Sequence, residues 1–397
     1  MQFTVTKSGV VLYCARMVVQ RSQKIHVAVG AVRLIRDWRG GSPTNESTLH
    51  QLSPYIGKVK SAMAGSLIRR FTRKGETVFD PFSGCGTIAL EAWRAGRNVI
   101  ANDLSPYAAL LTRSKLFPPS GLDTALAAVN QRTDEVQLEV LRSDLRKVPK
   151  WVRDFFHPDT LRELLAWVRV LKRHDDHFVL SCLMGILHHQ RPGFLSFPCS
   201  HTVPYLRTRR FPPLRFPEMF SYRSVTDRLT AKVARTFRRF PKLNCGLWRE
   251  CLSHDAADLL PDEPVNTIIT SPPYMRQLDY GRDNRLRLWF LGTMDWKALD
   301  KRVSPSQQEF IELMRRCLRC WQHALRSSGR CVLILGDVRV GKDRCPLPQV
   351  VAHLAVREVG GYKLEATVTD TIPDTRRVRR SCRGSSAETV LVLRKTS

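Results

Sequence analysis

From residue 76 onward the apolar positions switch repeatedly between a period of two and a period near 3.6. Glu76-Thr77-Val78-Phe79-Asp80 is a short apolar strand, 88–95 reads as a helix, and Asn98-Val99-Ile100-Ala101-Asn102-Asp103 reads as a second strand. A strand, a glycine-containing turn, a helix and a strand in that order make a βαβ unit, which predicts a parallel sheet covered by helices. The same grammar resumes late in the chain. Thr267-Ile268-Ile269-Thr270 is a buried-type strand, and Cys331-Val332-Leu333-Ile334-Leu335 is another after the helical stretch 308–326. Segments 364–371 and 389–393 read as a closing antiparallel pair.

Between these blocks the pattern differs. Residues 121–190 are helical in period, with Leu161, Leu164, Leu165, Val168 and Leu171 forming an apolar stripe, and balanced in charge at ten basic and ten acidic residues. Residues 191–250 carry thirteen basic residues against Glu218, Asp227 and Glu250, and are rich in Pro, Phe and Tyr. Four regions follow: a basic lead over 1–43, half of an α/β domain over 44–120, a helical then basic insertion over 121–250, and the second half over 251–397. The lead holds seven basic residues against Asp37 as far as Ser42, and reads either as an arm or as an upstream start. No internal repeat is evident.

Composition sharpens this picture. The 397 residues include 64 Lys+Arg and 36 Asp+Glu, a formal net charge of +28, at 43% hydrophobic content. That is a folded protein with a polyanionic partner, and nucleic acid leads. No apolar run approaches the roughly 18 residues that span a bilayer, which argues against a membrane-spanning protein. Eleven scattered cysteines, an odd number, argue against a disulfide framework and for a reducing, cytoplasmic setting.

Two short segments carry the candidate chemistry. Asp80-Pro81-Phe82-Ser83-Gly84-Cys85-Gly86-Thr87 falls between the first strand and its helix. Glycines there allow a tight turn and let a ligand lie against bare backbone. Asp103 ends the next strand, where a carboxylate can accept hydrogen bonds from ribose hydroxyls. No Gly-Lys-Ser/Thr follows, which excludes a P-loop, and a dinucleotide loop fits only loosely. A nucleotide-type cofactor is thus weighed against a structural glycine turn. The second segment, Ser271-Pro272-Pro273-Tyr274, follows directly on the late strand. Two prolines fix the backbone and remove two N–H donors, so what points outward is acceptor-only beside an aromatic ring. Such a turn can accept hydrogen bonds from an exocyclic amino group while Tyr274 stacks on the ring that bears it. The alternative is a plain loop stop.

Together, Asp80 to Thr87 and Ser271 to Tyr274 resemble the S-adenosylmethionine-dependent DNA amino-methyltransferases, which make N4-methylcytosine or N6-methyladenine. The likeness covers roughly 44–397 and implies a Rossmann-like methyltransferase sheet, mostly parallel with an antiparallel last pair. Pro54-Tyr55-Ile56-Gly57-Lys58 is similar to the family's segment that closes over the methionine end of the cofactor, which implies roles for Tyr55, Gly57 and Lys58. Asp255-Ala256 resembles the acidic position that reads the adenine edge, and Leu104 goes with Asp103 in the cofactor set. Asp279-Tyr280-Gly281-Arg282 and Leu288-Trp289-Phe290 resemble the stretch trailing the catalytic turn. Serine in the first catalytic position leans toward cytosine N4. The resemblance implies S-adenosyl-L-methionine as cofactor, no metal, double-stranded DNA as partner, a monomer, and room for a cognate restriction enzyme acting separately.

A base inside a duplex cannot be reached, so the target must be extruded into the pocket at Tyr274. Arg207, Arg209, Arg210, Arg215, Arg235, Arg238 and Arg239 of the insertion are candidates for phosphate or guanine contacts. So are Arg376, Arg377, Arg379, Arg380 and Arg383, in the predicted loop between the last two strands. Competing chemistries would rest on other residues. Phe197-Pro198-Cys199-Ser200 offers the Pro-Cys that carbon-5 methylation requires, but inside the insertion. Cys317 and Cys320 sit within an amphipathic helix pattern, and His188, His189, Cys199 and His201 match no common zinc spacing. An RNA base methyltransferase and a catalytically silent nucleic-acid-binding protein remain the alternatives.

Overall fold

The computed structural model describes Trp38 and residues 46–201, 203–275, 278–340, 343–371 and 387–396. The basic lead, Trp38 apart, lies outside these. The helix α1 (Ser61–Phe71) precedes strand β1 (Thr77–Asp80), helix α2 (Thr87–Arg94), strand β2 (Asn98–Asn102) and helix α3 (Pro106–Leu116). The insertion supplies α4 (Leu122–Leu141), α5 (Pro158–Arg173), α6 (His177–Gly185) and α7 (Val225–Thr236). Then come β3 (Arg249–Leu252), β4 (Val265–Thr270), the short α8 (Tyr280–Asp283) and α9 (Arg285–Leu291), α10 (Trp296–Val303) and α11 (Gln307–Ala324). Strand β5 (Leu325–Gly336), a small β6–β7 hairpin (Val338–Val340, Asp343–Cys345), α12 (Leu347–His353), β8 (Tyr362–Thr371) and β9 (Ala387–Lys395) close the fold.

Seven strands form one sheet in the order β3-β2-β1-β4-β5-β9-β8. The first five run parallel; β9 is antiparallel to β5 and to β8. The expected α/β class, Rossmann-like with an antiparallel last pair, is therefore borne out. The period of two in each strand divides the side chains between two cores. Val78, Val99, Ala101, Ile269, Val332 and Val390 point to one face, under α1 to α3 and the insertion helices. Phe79, Ile100, Ile268, Cys331, Leu333 and Leu391 point to the other, under α11 and α12. The stripe on α5 serves this arrangement: Leu161, Leu164, Val168 and Leu171 are all buried in the first core. So the insertion thickens one face of the sheet.

The sequence reading contained no β3. Arg249 and Glu250 spoil its apolar run, and it needs little, being the sheet's edge. Arg249 is held instead by stacking, its guanidinium 4.1 Å from the Trp93 ring centre and 5.4 Å from that of Phe117.

Between β1 and β4 the chain order reverses: β1 leads away to β2 on one side, while β4 continues to β5 on the other. Loops leaving the carboxyl ends of these two strands diverge and leave a crevice, the usual ligand position in such sheets.

Candidate active site

A cavity of about 290 Å³ fills that crevice. Its lining joins segments far apart in the chain: Pro81 to Cys85 after β1, Asp103 and Leu104 after β2, and Ser271, Pro273 and Tyr274 after β4. Tyr55, Gly57, Lys58, Thr87, Asp255 and Ala256 also line it. Among the cofactor and catalytic candidates, Asp80, Gly86 and Pro272 are not part of the lining.

The glycine loop is built from within. Gly84 and Gly86 adopt φ of +52° and +70°, left-handed values that a side chain resists. Gly86 caps α2. A Cβ there would stand 2.9 Å from the Thr112 Cα on α3. Thr112 in turn ties the loop down, its hydroxyl donating to the Gly84 carbonyl at 3.1 Å and meeting Ser83 Oγ at 3.1 Å. Beneath the loop the ammonium of Lys115, 2% exposed, donates to the Cys85 carbonyl. Burial pulls its pKa down. Nothing in the local pattern of α3 marks Lys115 as different from a surface lysine, and it was missed.

Asp103 orders the loop from its other side. Gly84 N donates to Oδ2 at 2.8 Å and Ser105 N to Oδ1 at 2.9 Å. Each carboxylate oxygen has a second lone pair for another donor. Burial pushes its pKa up to about 6, against the pull of those two N–H groups. Asp80 is buried more deeply, and burial pushes it up to about 8 while the Thr270 hydroxyl, donating at 2.7 Å, pulls the other way. Thr270 also accepts from Phe82 N at 3.1 Å, so one side chain at the end of β4 fixes the start of the glycine loop.

At the other wall the Tyr274 hydroxyl donates to the Ile334 carbonyl at 3.2 Å and lies 3.3 Å from Ser271 Oγ. A carbonyl can only accept, so the single phenolic hydrogen is committed to Ile334. The Ser271 hydroxyl must then donate to Tyr274, and what Ser271 retains is lone pairs. Burial holds the phenol well above its ordinary pKa, keeping that hydrogen in place. Over the cavity Tyr55 stands between Tyr107 and Tyr280, with ring centres 5.9 and 6.1 Å away.

Further lining residues went unread in the sequence. Lys301, Arg302 and Val303 at the end of α10, Pro305 after it, and Glu309 and Leu313 in the first turns of α11 close one side. Only the Ser306/Glu309 capping box, both halves formed, was a local signal there, and it marks a helix start rather than a site.

Residues 36–113 match the family model described as DNA methylase. The matched segment includes α1, β1, the glycine loop, α2, β2 and most of α3, and bears out the resemblance read from the glycine loop. The type II methyltransferase M.MjaII of Methanocaldococcus jannaschii is 32% identical over 68 residues, 17% of this chain and 13% of that protein. Among solved structures, TrmN from Thermus thermophilus aligns with 87% of this chain and 52% of its own, at 14% identity and a TM-score of 0.37. A DNA modification methylase from the same organism, complexed with S-adenosyl-L-methionine, aligns at 21% identity and a TM-score of 0.23, over 36% of this chain and 51% of its own. The chain thus spans a small part of the curated relative and about half of these structures.

None of the insertion arginines lines the cavity. Arg209, Arg210, Arg215, Arg235, Arg238 and Arg239 are not buried, and Arg207 is half-buried. Arg207 donates to Gln190 Oε1 at 2.7 Å, and Arg239 to the Glu46 carbonyl at 3.1 Å. Not every basic residue of 191–250 faces solvent: Arg223 is buried and donates to the carbonyls of Phe194, Ser196 and Met219. Arg376, Arg377, Arg379, Arg380 and Arg383 lie outside the described residues. Cys199 is fully buried in the insertion, its thiol pushed up to about 12 by burial. That is no nucleophile, and it does not line the cavity. Cys317 faces the second core from α11, and Cys320 donates to the Leu259 carbonyl. Among the described residues no helix is long and apolar enough to cross a membrane.

Proposed function

We propose that this chain transfers a methyl group from S-adenosyl-L-methionine to the exocyclic amino nitrogen of a base extruded from double-stranded DNA, with cytosine N4 the favoured target and adenine N6 the second. The observation that carries the reading is the Ser271 hydroxyl, held with its hydrogen turned to Tyr274 and its lone pairs left over, in the same cavity as the glycine loop and Asp103.

The residues present suit the cofactor. Asp103 has lone pairs for two ribose hydroxyls, the bare backbone at Gly84 admits close approach, and Asp255 with Ala256 lies in the same lining. When bound, the cofactor supplies a methyl group on a positively charged sulfur that leaves readily. Ser271 accepts an amino N–H of the base, and Tyr274 presents a fixed ring for stacking. Holding an amino proton directs the nitrogen lone pair toward the methyl carbon, a positioning effect. The N–CH3 bond would form as the sulfur–methyl bond breaks, and the surplus amino proton of the strongly acidic methylated nitrogen would leave to solvent, with no side-chain base of shifted pKa. The exposed arginines of 191–250 supply phosphate contacts, which position a duplex without reading it.

Mapping modified bases in DNA from cells expressing the chain tests this directly. N4-methylcytosine or N6-methyladenine at a recurring site is the expected result. Their absence, with methyl transfer to RNA by the purified protein, would replace the reading with an RNA one.

Acidity provides a second check. Ribose hydroxyls need the charged carboxylate of Asp103, which in the free protein titrates at about 6. Cofactor affinity should be level above that pH and fall about tenfold per unit below it. Titration calorimetry across pH 5 to 8 reads this, and Asp103→Asn should lower affinity and flatten the profile. A break that persists in the Asn variant would assign the titration elsewhere.

A further inference from the structure

Leu214 is 100% exposed. Single exposed leucines are ordinary, but this one stands on a built support. Pro212 and Pro213 precede it and fix two successive φ angles. Arg215 N and Phe216 N both donate to the Pro212 carbonyl at 3.0 Å, closing the turn with Leu214 at its tip. Behind the tip Phe211 and Phe216 meet edge to face with ring centres 5.6 Å apart, so the stem is stapled. Arg209, Arg210 and Arg215 beside the tip are all exposed.

The stem is tied to the segment that follows part of the cavity lining. Arg285, first residue of α9, donates to the Pro204 carbonyl. A short way back along the chain from Arg285, Tyr280 and Leu278 line the cavity. Ten residues on from Pro204, then, the chain presents an apolar point fixed by its turn among cations. Arginines beside a solitary apolar tip suit a duplex: phosphates take the cations, and the base stack is the apolar interior that a leucine can enter.

Resting on the function proposed above, we infer that Leu214 is a wedge that enters the base stack of the duplex and occupies the gap left by the extruded target base. A tip already fixed by two prolines and an aromatic pair loses little freedom on insertion, so its burial between bases stabilises the extruded state.

The test measures transfer from labelled S-adenosylmethionine by the wild type, Leu214→Ala and Leu214→Phe. Substrates are an oligonucleotide carrying the mapped methylation site as a paired duplex, a duplex mismatched at the target, and a single strand. Leu214→Ala should be about tenfold slower on the paired duplex, less affected on the mismatch, and within about twofold of wild type on the single strand, because only pairing makes extrusion costly. Leu214→Phe should restore most of the duplex rate. Equal duplex rates for wild type and Leu214→Ala overturn the wedge and leave the methyltransferase intact. An equal loss on all three substrates also overturns it, since that would mark a loop supporting the site. Wild-type self-association abolished by Leu214→Ala at an unchanged duplex rate would make the tip a protein contact. A wild type that methylates no DNA removes the functional reading and the wedge together.

Discussion

Replacing Ser271 with Ala should slow methyl transfer about a hundredfold or more, the usual cost of removing one preorganised hydrogen-bonding group at a reacting centre. Affinity for DNA should stay within about twofold, because phosphate contacts elsewhere on the surface supply it. The split follows from how the hydroxyl is held. Its hydrogen goes to Tyr274, whose own hydrogen goes to the Ile334 carbonyl. Ser271 thus faces the base only as an acceptor, and alanine offers none. Tyr274→Phe separates the two roles of that tyrosine. It keeps the ring but frees the Ser271 hydrogen, which can then rotate toward the base and oppose the amino group. A loss of about tenfold, smaller than that of Ser271→Ala, is expected from a hydrogen bond weakened and not removed. Single-turnover rates at saturating cofactor and DNA measure both variants. Ser271→Ala with near wild-type turnover, or with DNA binding lost in proportion, would end the case for Ser271 as the amino acceptor.

How much of this could be read from the chain differs by kind of feature. The parallel core was legible because β1, β2, β4 and β5 are buried on both faces and read as apolar runs between turn signals. Strand β3 was not, since an edge strand tolerates Arg249 and Glu250 and takes its place from Trp93, far earlier in the chain. The cavity was legible where chemistry is concentrated in consecutive residues, as in the glycine loop and the Ser271 turn. It was not legible where single residues arrive from a helix end. Lys301, Arg302 and Leu313 reach the lining through the packing of α10 and α11, which no local spacing encodes. Lys115, behind the lining, is the clearest case: only its position under the Cys85 carbonyl distinguishes it from Lys58, which lines the cavity and stays exposed. Charge was legible in total and misleading in detail. Arg223, in the middle of the basic insertion, spends its guanidinium on three backbone carbonyls and is withdrawn from any duplex.

The glycine loop carries the other large expected effect, and its two glycines should respond differently. At Gly86 a methyl group would stand 2.8 Å from Thr112 Oγ1 and 2.9 Å from Thr112 Cα, at a φ of +70°. The left-handed backbone costs about 1–2 kcal/mol for any residue with a Cβ. Forcing α3 away costs about 1–3 kcal/mol more, as overpacking does in a close-packed interior. Gly86→Ala should therefore lower the melting temperature by roughly 5 °C. The larger effect is on the cofactor. If Thr112 shifts, its bond to the Gly84 carbonyl loosens, and with it the Gly84 N–H that orients Asp103. Displacing an acceptor from its partner hydroxyls by even a fraction of an ångström weakens both bonds, so affinity for S-adenosylmethionine should fall on the order of a hundredfold. Gly84→Ala meets only the edge of the Tyr55 ring at 3.4 Å, an ordinary van der Waals contact. It should cost about 1–2 kcal/mol of stability, the backbone share alone. Its effect on cofactor binding comes through the volume of the methyl group at the cavity wall. Calorimetric titration beside thermal unfolding distinguishes the two variants. Full cofactor affinity in Gly86→Ala would show that the loop binds without its attachment to α3, and that Asp103 is oriented by something other than Gly84.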